Sequence, residues 1–131
     1  MATQQLVTGN EVSYGASADL SGKPFRYVKL ASTSGQVALC GAADIPVGVL
    51  QNQPRLGDAA AVITLSGAVA KAVSDGSQTA IAVGDTVGSN AVGKAVKKTA
   101  SGSWYNGVAL EASSQDGKVI RIQLTGPQQR S

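Results

Sequence analysis

The sequence has no histidine, one cysteine, one tryptophan and one phenylalanine, and only 15% of its residues are charged. Without histidine, the Ser-His-Asp and Cys-His arrangements of nucleophilic enzymes are excluded, and so are histidine-ligated zinc sites. The eight acidic residues are spread along the chain, which suits turns and solvation better than a paired-carboxylate site. We therefore expect no catalytic residue, no cofactor and no metal, and the protein is not predicted to be an enzyme.

Basic residues are also sparse. The sequence has 11 lysines and arginines and 8 acidic residues, which gives a net charge of +3. A nucleic-acid binder needs a concentrated basic stripe. The densest group, Lys94, Lys97 and Lys98, is interpreted as a solvated strand face that protects an edge from pairing. Nucleic acid is not an expected partner.

Long hydrophobic runs are missing as well. No stretch approaches the ~18 apolar residues of a membrane span, and residues 1–5 have none of the features of a secretory leader. We expect the protein to be made in the cytosol and to stay there, with no membrane partner. Because Cys40 is the only cysteine, no internal disulfide can form, and its apolar neighbours predict a buried thiol.

Sixteen glycines separate short runs of Val, Ile, Leu and Thr, a pattern typical of brief strands joined by tight turns. The Ala-rich stretch 58–73 has some helical character, but its β-branched residues and the interior Gly67 favour strands. The pattern predicts an all-β fold, either a compact β-barrel or a β-sandwich (β-tulip-like). Nine candidate strands cover residues 25–31, 36–40, 47–51, 60–65, 68–73, 86–88, 94–98, 107–111 and 118–124.

Short blocks of the sequence recur about 59 residues apart. Residues 48–50 (GVL) match 107–109 (GVA), and residues 63–67 (ITLSG) match 122–126 (IQLTG). A third block, 34–38 (SGQVA), resembles 92–96 (VGKAV) at a spacing of 58. Neither half could bury much core alone, so we predict two related β-halves packed together.

Residues 1–24 differ from the rest because their apolar residues are sparse and show no convincing alternation. We interpret them as an extended N-terminal arm, followed by a β-domain over 25–126 and a C-terminal tail over 127–131. An extended arm can add a strand to another chain's sheet. The expected contact residues of the arm on another subunit are Leu6, Val7, Val12 and Tyr14.

Two further features suggest ligand binding. Residues 88–95 (GSNAVGKA) match the P-loop spacing through Lys94, but Ala95 replaces the required Ser or Thr. Residues 96–102 are predicted to be a strand that runs into a turn, whereas a P-loop needs a helix there. Trp104 and Tyr105 form an adjacent aromatic pair, which is a possible surface contact although a stacking platform needs several rings in series.

Several blocks in order along the chain resemble the small tailed-phage head decoration, or cement, proteins. The similarity spans most of residues 25–126, and the arm is not covered by it. The blocks are 48–54 (GVLQNQP), 57–60 (GDAA), 66–67 (SG), 83–87 (VGDTV) and 107–112 (GVALEA).

This resemblance implies a non-enzymatic β-protein that docks on the outer surface of a phage head and strengthens it against packaged DNA. It implies two partners, the major capsid protein and further copies of the chain itself, commonly as a homotrimer, and a location on the virion. The alternative, from another functional class, is a virion-displayed ligand- or glycan-binding module, in which Trp104 would contact the ligand.

Overall fold

The computed structural model describes residues 11–131, and this part of the chain is built entirely from strands and turns, as predicted. All nine predicted strands are present. Three further short strands, β1, β9 and β12, were not predicted. The strands are β1 (Glu11–Ala16), β2 (Tyr27–Leu30), β3 (Gln36–Leu39), β4 (Gly48–Leu50), β5 (Ala59–Ile63), β6 (Val69–Asp75), β7 (Val87–Ser89), β8 (Ala95–Lys97), β9 (Trp104–Tyr105), β10 (Val108–Ala109), β11 (Asp116–Gln123) and β12 (Gln128–Gln129).

The N-terminal half is a closed barrel with the strand order β1-β3-β2-β4-β5. Its interior is apolar and fully buried, because alternate residues of each strand point inward. The inward-facing residues pack into one cluster, which includes Ala16, Leu20, Val28, Val37, Leu50, Ala60 and Val62.

The C-terminal half repeats this circuit as a five-stranded sheet with the order β10-β11-β6-β8-β7. An isolated antiparallel bridge between Thr86 and Val108 brings its two edge strands together. The corresponding pair in the barrel is Tyr27 with Val49, where β2 meets β4. The two halves therefore share one topology, with β6, β8, β7, β10 and β11 as the counterparts of β1, β3, β2, β4 and β5.

Pairing register confirms the predicted repeat. The parallel pair Ala16 with Val37 recurs as Ser74 with Ala95 at a spacing of 58, which is the spacing of the 34–38 and 92–96 blocks. Residues 48–50 and 107–109 lie on the counterpart strands β4 and β10 at a spacing of 59.

The remaining match, residues 63–67 with 122–126, is displaced by one residue in the structure. The antiparallel pair Leu50 with Val62 recurs as Ala109 with Ile122, so Val62 is the structural counterpart of Ile122. The sequence match had aligned Ile63 with Ile122. Ile63 instead points away from the barrel interior and packs against the C-terminal half.

Tyr27 joins the two halves. Its side chain is fully buried, its hydroxyl donates to the Asn106 carbonyl at 2.7 Å, and its backbone N–H donates to the Gly93 carbonyl at 2.8 Å. Burial raises the pKa of Tyr27 far above its ordinary value, so the hydroxyl keeps the proton that it donates.

Other hydrogen bonds between the halves surround Tyr27. Asn106 donates from Nδ2 to the Pro46 carbonyl at 2.8 Å, and Ser89 Oγ donates to the Cys40 carbonyl at 3.2 Å. The backbone N–H of Val73 donates to the Phe25 carbonyl at 2.8 Å. The halves therefore pack together as one unit, with Tyr27, Val49 and Ile63 on the outer face of the barrel contributing to the core of the C-terminal half.

The prediction of an extended arm does not hold for residues 11–24. β1 pairs with β5 from Glu11 to Gly15 and closes the barrel, and Leu20 is buried in the barrel core. The main-chain hydrogen bonds of β1 are made within the domain, so this segment does not extend away from it. Residues 1–10 lie outside the described residues. The expected C-terminal tail also belongs to the domain, since β12 pairs with β9.

Cys40 is free and fully buried, which confirms the prediction from its neighbours. Burial is the main cause that raises the pKa of its thiol. Thiol reagents attack exposed thiolate, so we expect Cys40 to react at least about a hundredfold more slowly in the native protein than in urea. Ellman's reagent measures this, with a cysteine at the exposed Ser114 as the control. Equal rates at the two positions would contradict the burial.

Candidate docking surface

One end of the barrel opens to solvent through an apolar rim. β1 and β4 begin at this end and β2 and β5 end there, because the register makes β1 and β4 antiparallel to β5, and β2 antiparallel to β4. Val12, Tyr14 and Ala16 lie on the inner face of β1, since alternate residues share a face. Ala16 is fully buried, whereas Val12 is 42% exposed. The inner face of β1 therefore emerges from the core at this end.

Opposite β1, the rim continues into an open cleft of about 360 Å³. Leu30 at the end of β2 is 59% exposed and Ile45 in the loop before β4 is 45% exposed. We call the set Val12, Tyr14, Leu30, Ile45 and Val47 the barrel mouth. The mouth presents several exposed apolar side chains at one end of the barrel, and large exposed apolar patches on a protein surface mark interaction sites.

An ion pair borders the cleft. Lys29 Nζ lies 3.0 Å from Asp44 Oδ2, and both side chains are more than one-third exposed. The hydrogen bond from Lys29 lowers the pKa of the Asp44 carboxyl, with a further contribution from the Gly41 N–H. An exposed pair of this kind contributes little stability, so it gives the cleft a polar border without a net charge.

The same end of the C-terminal half is covered. Ser89 and Asn106 are the counterparts of Leu30 and Val47 at a spacing of 59, and both are buried. They are covered by the N-terminal half through the hydrogen bonds of Ser89, Asn106 and Tyr27 described above. The barrel mouth is thus a surface that the fold covers in one half and that the described residues leave open in the other.

The predicted contact residues fall into two groups on different halves. Val12 and Tyr14 lie in the barrel mouth, and Leu6 and Val7 lie outside the described residues. Trp104 and Tyr105 form β9, are half-buried and pair with β12. The structure does not bring these two groups into one site.

The C-terminal strand and Arg130 cover part of the outer surface of the C-terminal half. Tyr105 donates its hydroxyl to Gln128 Oε1 at 2.8 Å, and the Arg130 guanidinium lies 5.5 Å from the centre of the Tyr105 ring. Arg130 also donates to Thr86 Oγ1 at 2.8 Å. This arrangement fits a structural role for the aromatic pair.

Residues 88–95 form the β7–β8 hairpin. Asn90 Oδ1 accepts the backbone N–H groups of Val92 and Lys94 at 2.9 Å each, and Lys94 Nζ lies 2.7 Å from Asp116 Oδ1. The lysine of the P-loop-like segment is therefore held by a carboxylate on β11.

The prediction that Lys94, Lys97 and Lys98 form a solvated strand face is wrong, because each ammonium group has a partner within the fold. In addition to the Lys94 pair, Lys97 Nζ lies 3.6 Å from Asp85 Oδ2, and Lys98 Nζ donates to the Ala42 carbonyl at 3.2 Å. Partial burial lowers the pKa of Lys98. These ammonium groups connect neighbouring segments of the fold.

Over residues 11–131, no group of three or more Cys, Asp or Glu side chains is arranged to hold a metal ion. No helix in that part of the chain is long and apolar enough to span a membrane.

Sequence reasoning singled out Val12 and Tyr14 as contact residues of an arm, and the structure places both in the barrel mouth. It did not single out Leu30 and Ile45. Leu30 ends a predicted strand, and its exposure depends on where the barrel stops. Ile45 carried a signal that could have been used, since it is an isolated large apolar residue in a loop between Asp44 and Pro46.

Comparison with known proteins decides the family. The family model described as phage cement protein matches residues 21–124. The chain belongs to the phage cement protein family. A cement protein is a structural component associated with the phage capsid, so this cement-family chain has a capsid-associated structural role.

Among solved structures, the cement-family chain is similar to the N base of head fiber gp8.5 in bacteriophage phi29. The TM-score is 0.67 at 20% identity, and the alignment covers 88% of this chain and 92% of the other. At that identity the likeness concerns the fold alone. None of the curated proteins matches the cement-family chain.

Proposed function

We propose that this protein is a decoration, or cement, protein that binds the outer surface of a phage head and stabilises it against the pressure of packaged DNA. Its partners are the major capsid protein and further copies of itself in a homotrimer. It is made in the host cytoplasm and joins the virion. The observation that carries the proposal is the open apolar mouth of the barrel, in a chain of the cement family.

The mouth is the surface proposed to face the shell. Val12 and Tyr14 lie in it, and Leu6 and Val7 belong to the ten residues that join β1 there. Val12, Leu30 and Ile45 are exposed to solvent in the mouth, so these side chains are free to meet a partner. Trp104 and Tyr105 on the other half are proposed as a second, peripheral contact.

Stabilisation follows from linkage. A protein that binds only the assembled shell adds its binding free energy to that state. A standard interface buries about 800 Å² on each partner, which the mouth with its surrounding turns could supply. No reactive group is required, in agreement with the absence of histidine.

The test is binding to purified phage heads that have been stripped of this protein. Ile45→Asp places a carboxylate in the mouth, and burying an unpaired charge at a cost of about 2 kcal/mol lowers the affinity roughly thirtyfold. The matched control is Val83→Asp, because Val83 is an apolar residue of the C-terminal half that is 67% exposed. The readout is head occupancy by quantitative gel electrophoresis.

Redecorated heads are also expected to release their DNA at a higher temperature than stripped heads, and Ile45→Asp should reduce that increase while Val83→Asp preserves it. Absence of binding to any head would refute the function. Equal occupancy by both variants would refute the mouth as the contact surface.

A further inference from the structure

The longest strand pair of the described residues, β6 with β11, has one face in the core and one face in solvent. Alternate residues such as Ala72 and Ile120 are buried, so the residues between them point outward. Within this pair Lys71 lies directly opposite Arg121. The outward-facing set, which we call the β6–β11 face, is Val69, Lys71, Val73, Val119, Arg121 and Gln123.

The edges of this strand pair are already occupied. On the β6 side, Gln51 Nε2 donates to the Lys71 carbonyl at 3.2 Å. On the β11 side, β10 is paired, and the backbone N–H of Leu110 donates to the Arg121 carbonyl at 3.0 Å. A partner at this place therefore meets the side chains of the face and does not add a strand to the sheet.

The internal repeat shows that the fold does not require the side chains of this face. Lys71 opposite Arg121 corresponds to Ser13 opposite Ala61 in the barrel. The neighbouring valine pair of the face corresponds to a glycine opposite an alanine. Since the same backbone positions accept small uncharged residues in one half, the larger and basic side chains of the other half point to a contact.

The charges of the face are placed at a cost to the sheet. Like charges directly opposite each other on neighbouring strands are destabilising, and Lys71 and Arg121 are such a pair. Glu111 Oε1 lies 3.6 Å from Arg121 Nε and offsets one of the two charges. In the described part of the chain, Lys71 belongs to no ion pair. The face therefore keeps a positive charge beside the exposed Val69 and Val119.

We propose that the β6–β11 face binds an acidic surface of a shell protein, as a contact in addition to the barrel mouth. A carboxylate placed beside Lys71 and Arg121 offsets the repulsion between them, and the valines add apolar contact. Two basic groups, one of them paired, do not make the concentrated stripe that a nucleic acid needs. This inference rests on the proposed function and deepens it, because a protein that holds neighbouring subunits together has to contact both.

The test is binding of the full-length protein to the stripped heads. Lys71→Ser combined with Arg121→Ala installs the side chains that the barrel has at these positions. The affinity for heads should fall at least about tenfold at low salt, and the loss should shrink near 0.5 M salt because salt screens charges. The unfolding temperature should stay within about 3 °C of the wild type, as for ordinary surface substitutions.

A second pair of variants separates a local contact from general attraction between charges. Lys71→Glu should weaken binding further than the double variant, because it brings like charges together. Arg55→Glu is the control, since Arg55 is an exposed residue before β5 and the change in net charge is the same. It should bind heads as the wild type does.

Wild-type affinity in both the double variant and Lys71→Glu would overturn the proposal, and so would equal losses for Lys71→Glu and Arg55→Glu. Binding of the wild type to a DNA duplex that Lys71→Glu abolishes would overturn it too, since the face would then serve a nucleic acid. A wild-type protein that binds no head refutes the proposed function, whereas heads that bind the wild type and all variants alike contradict this contact alone.

Discussion

Replacing Tyr27 with alanine is expected to lower the free energy of unfolding by about 3–5 kcal/mol, the range for truncating a large buried aromatic residue. The loss combines two effects. A cavity opens at the junction of the halves, and the Asn106 carbonyl loses the hydroxyl that donates to it at 2.7 Å. Since most domains have only about 5–15 kcal/mol of stability, the variant should be close to unfolding at 37 °C.

Urea unfolding followed by circular dichroism measures the change. Tyr27→Phe keeps the ring and removes only the hydroxyl, so it should cost about 1–3 kcal/mol for the unsatisfied carbonyl. Tyr105→Ala is the matched control, since that tyrosine is half-buried and bonds to an exposed Gln128, and it should cost less than Tyr27→Ala. If Tyr105→Ala were the more damaging change, the central role of Tyr27 in joining the halves would be wrong.

Gly48→Ala is expected to be the second large change, with a loss of about 3 kcal/mol at the upper end of the usual cost of overpacking. A Cβ at this position would lie 2.5 Å from the Ile63 carbonyl oxygen and 2.7 Å from a Val62 methyl group. The carbonyl belongs to the backbone of β5, so relief requires β4 and β5 to separate. Glycine is therefore needed here for close approach of two strands.

Gly22→Ala is the control for Gly48→Ala, because a Cβ at Gly22 meets no atom within 4 Å. Its effect should stay within about 0.5 kcal/mol, as for ordinary surface substitutions. Thermal unfolding by calorimetry compares the two, and similar midpoints would contradict the close packing of β4 on β5.

The strands that sequence reasoning predicted are those whose own residues carry the signal. β2, β5 and β11 are runs of β-branched and aliphatic residues bounded by turn formers, and the repeat in β4 and β10 was visible from residues 48–50 and 107–109. The all-β class and the two related halves could therefore be predicted.

The missed elements depend on partners that are distant in sequence. β1 reads Glu-Val-Ser-Tyr-Gly-Ala, a weak strand pattern. It forms because β5 offers a complementary edge, with Val12 paired to Val62, 50 residues further along the chain. β12 has two glutamines and exists through β9. Only the closed circuit shows that residues 11–24 are part of the barrel.

The residues of the barrel mouth were only half predictable for a similar reason. Val12 and Tyr14 attracted notice as apolar residues in a polar stretch, and they do line the mouth. Leu30 resembles any core leucine in sequence, and its exposure arises because β2 stops before a partner strand covers it. Exposure at the end of a barrel is set by strand length and stagger, which local sequence does not encode.

Two related units joined by a head-to-tail contact have an inherent route to endless fibres, because such a contact can repeat without limit when it does not close. In this protein the route ends at the second unit. The position of Tyr27 is occupied there by Thr86, and Arg130 bonds to its hydroxyl at 2.8 Å. A further unit packed on the C-terminal half in the same way would have to displace this guanidinium, and it would meet Thr86 where the first contact has Tyr27.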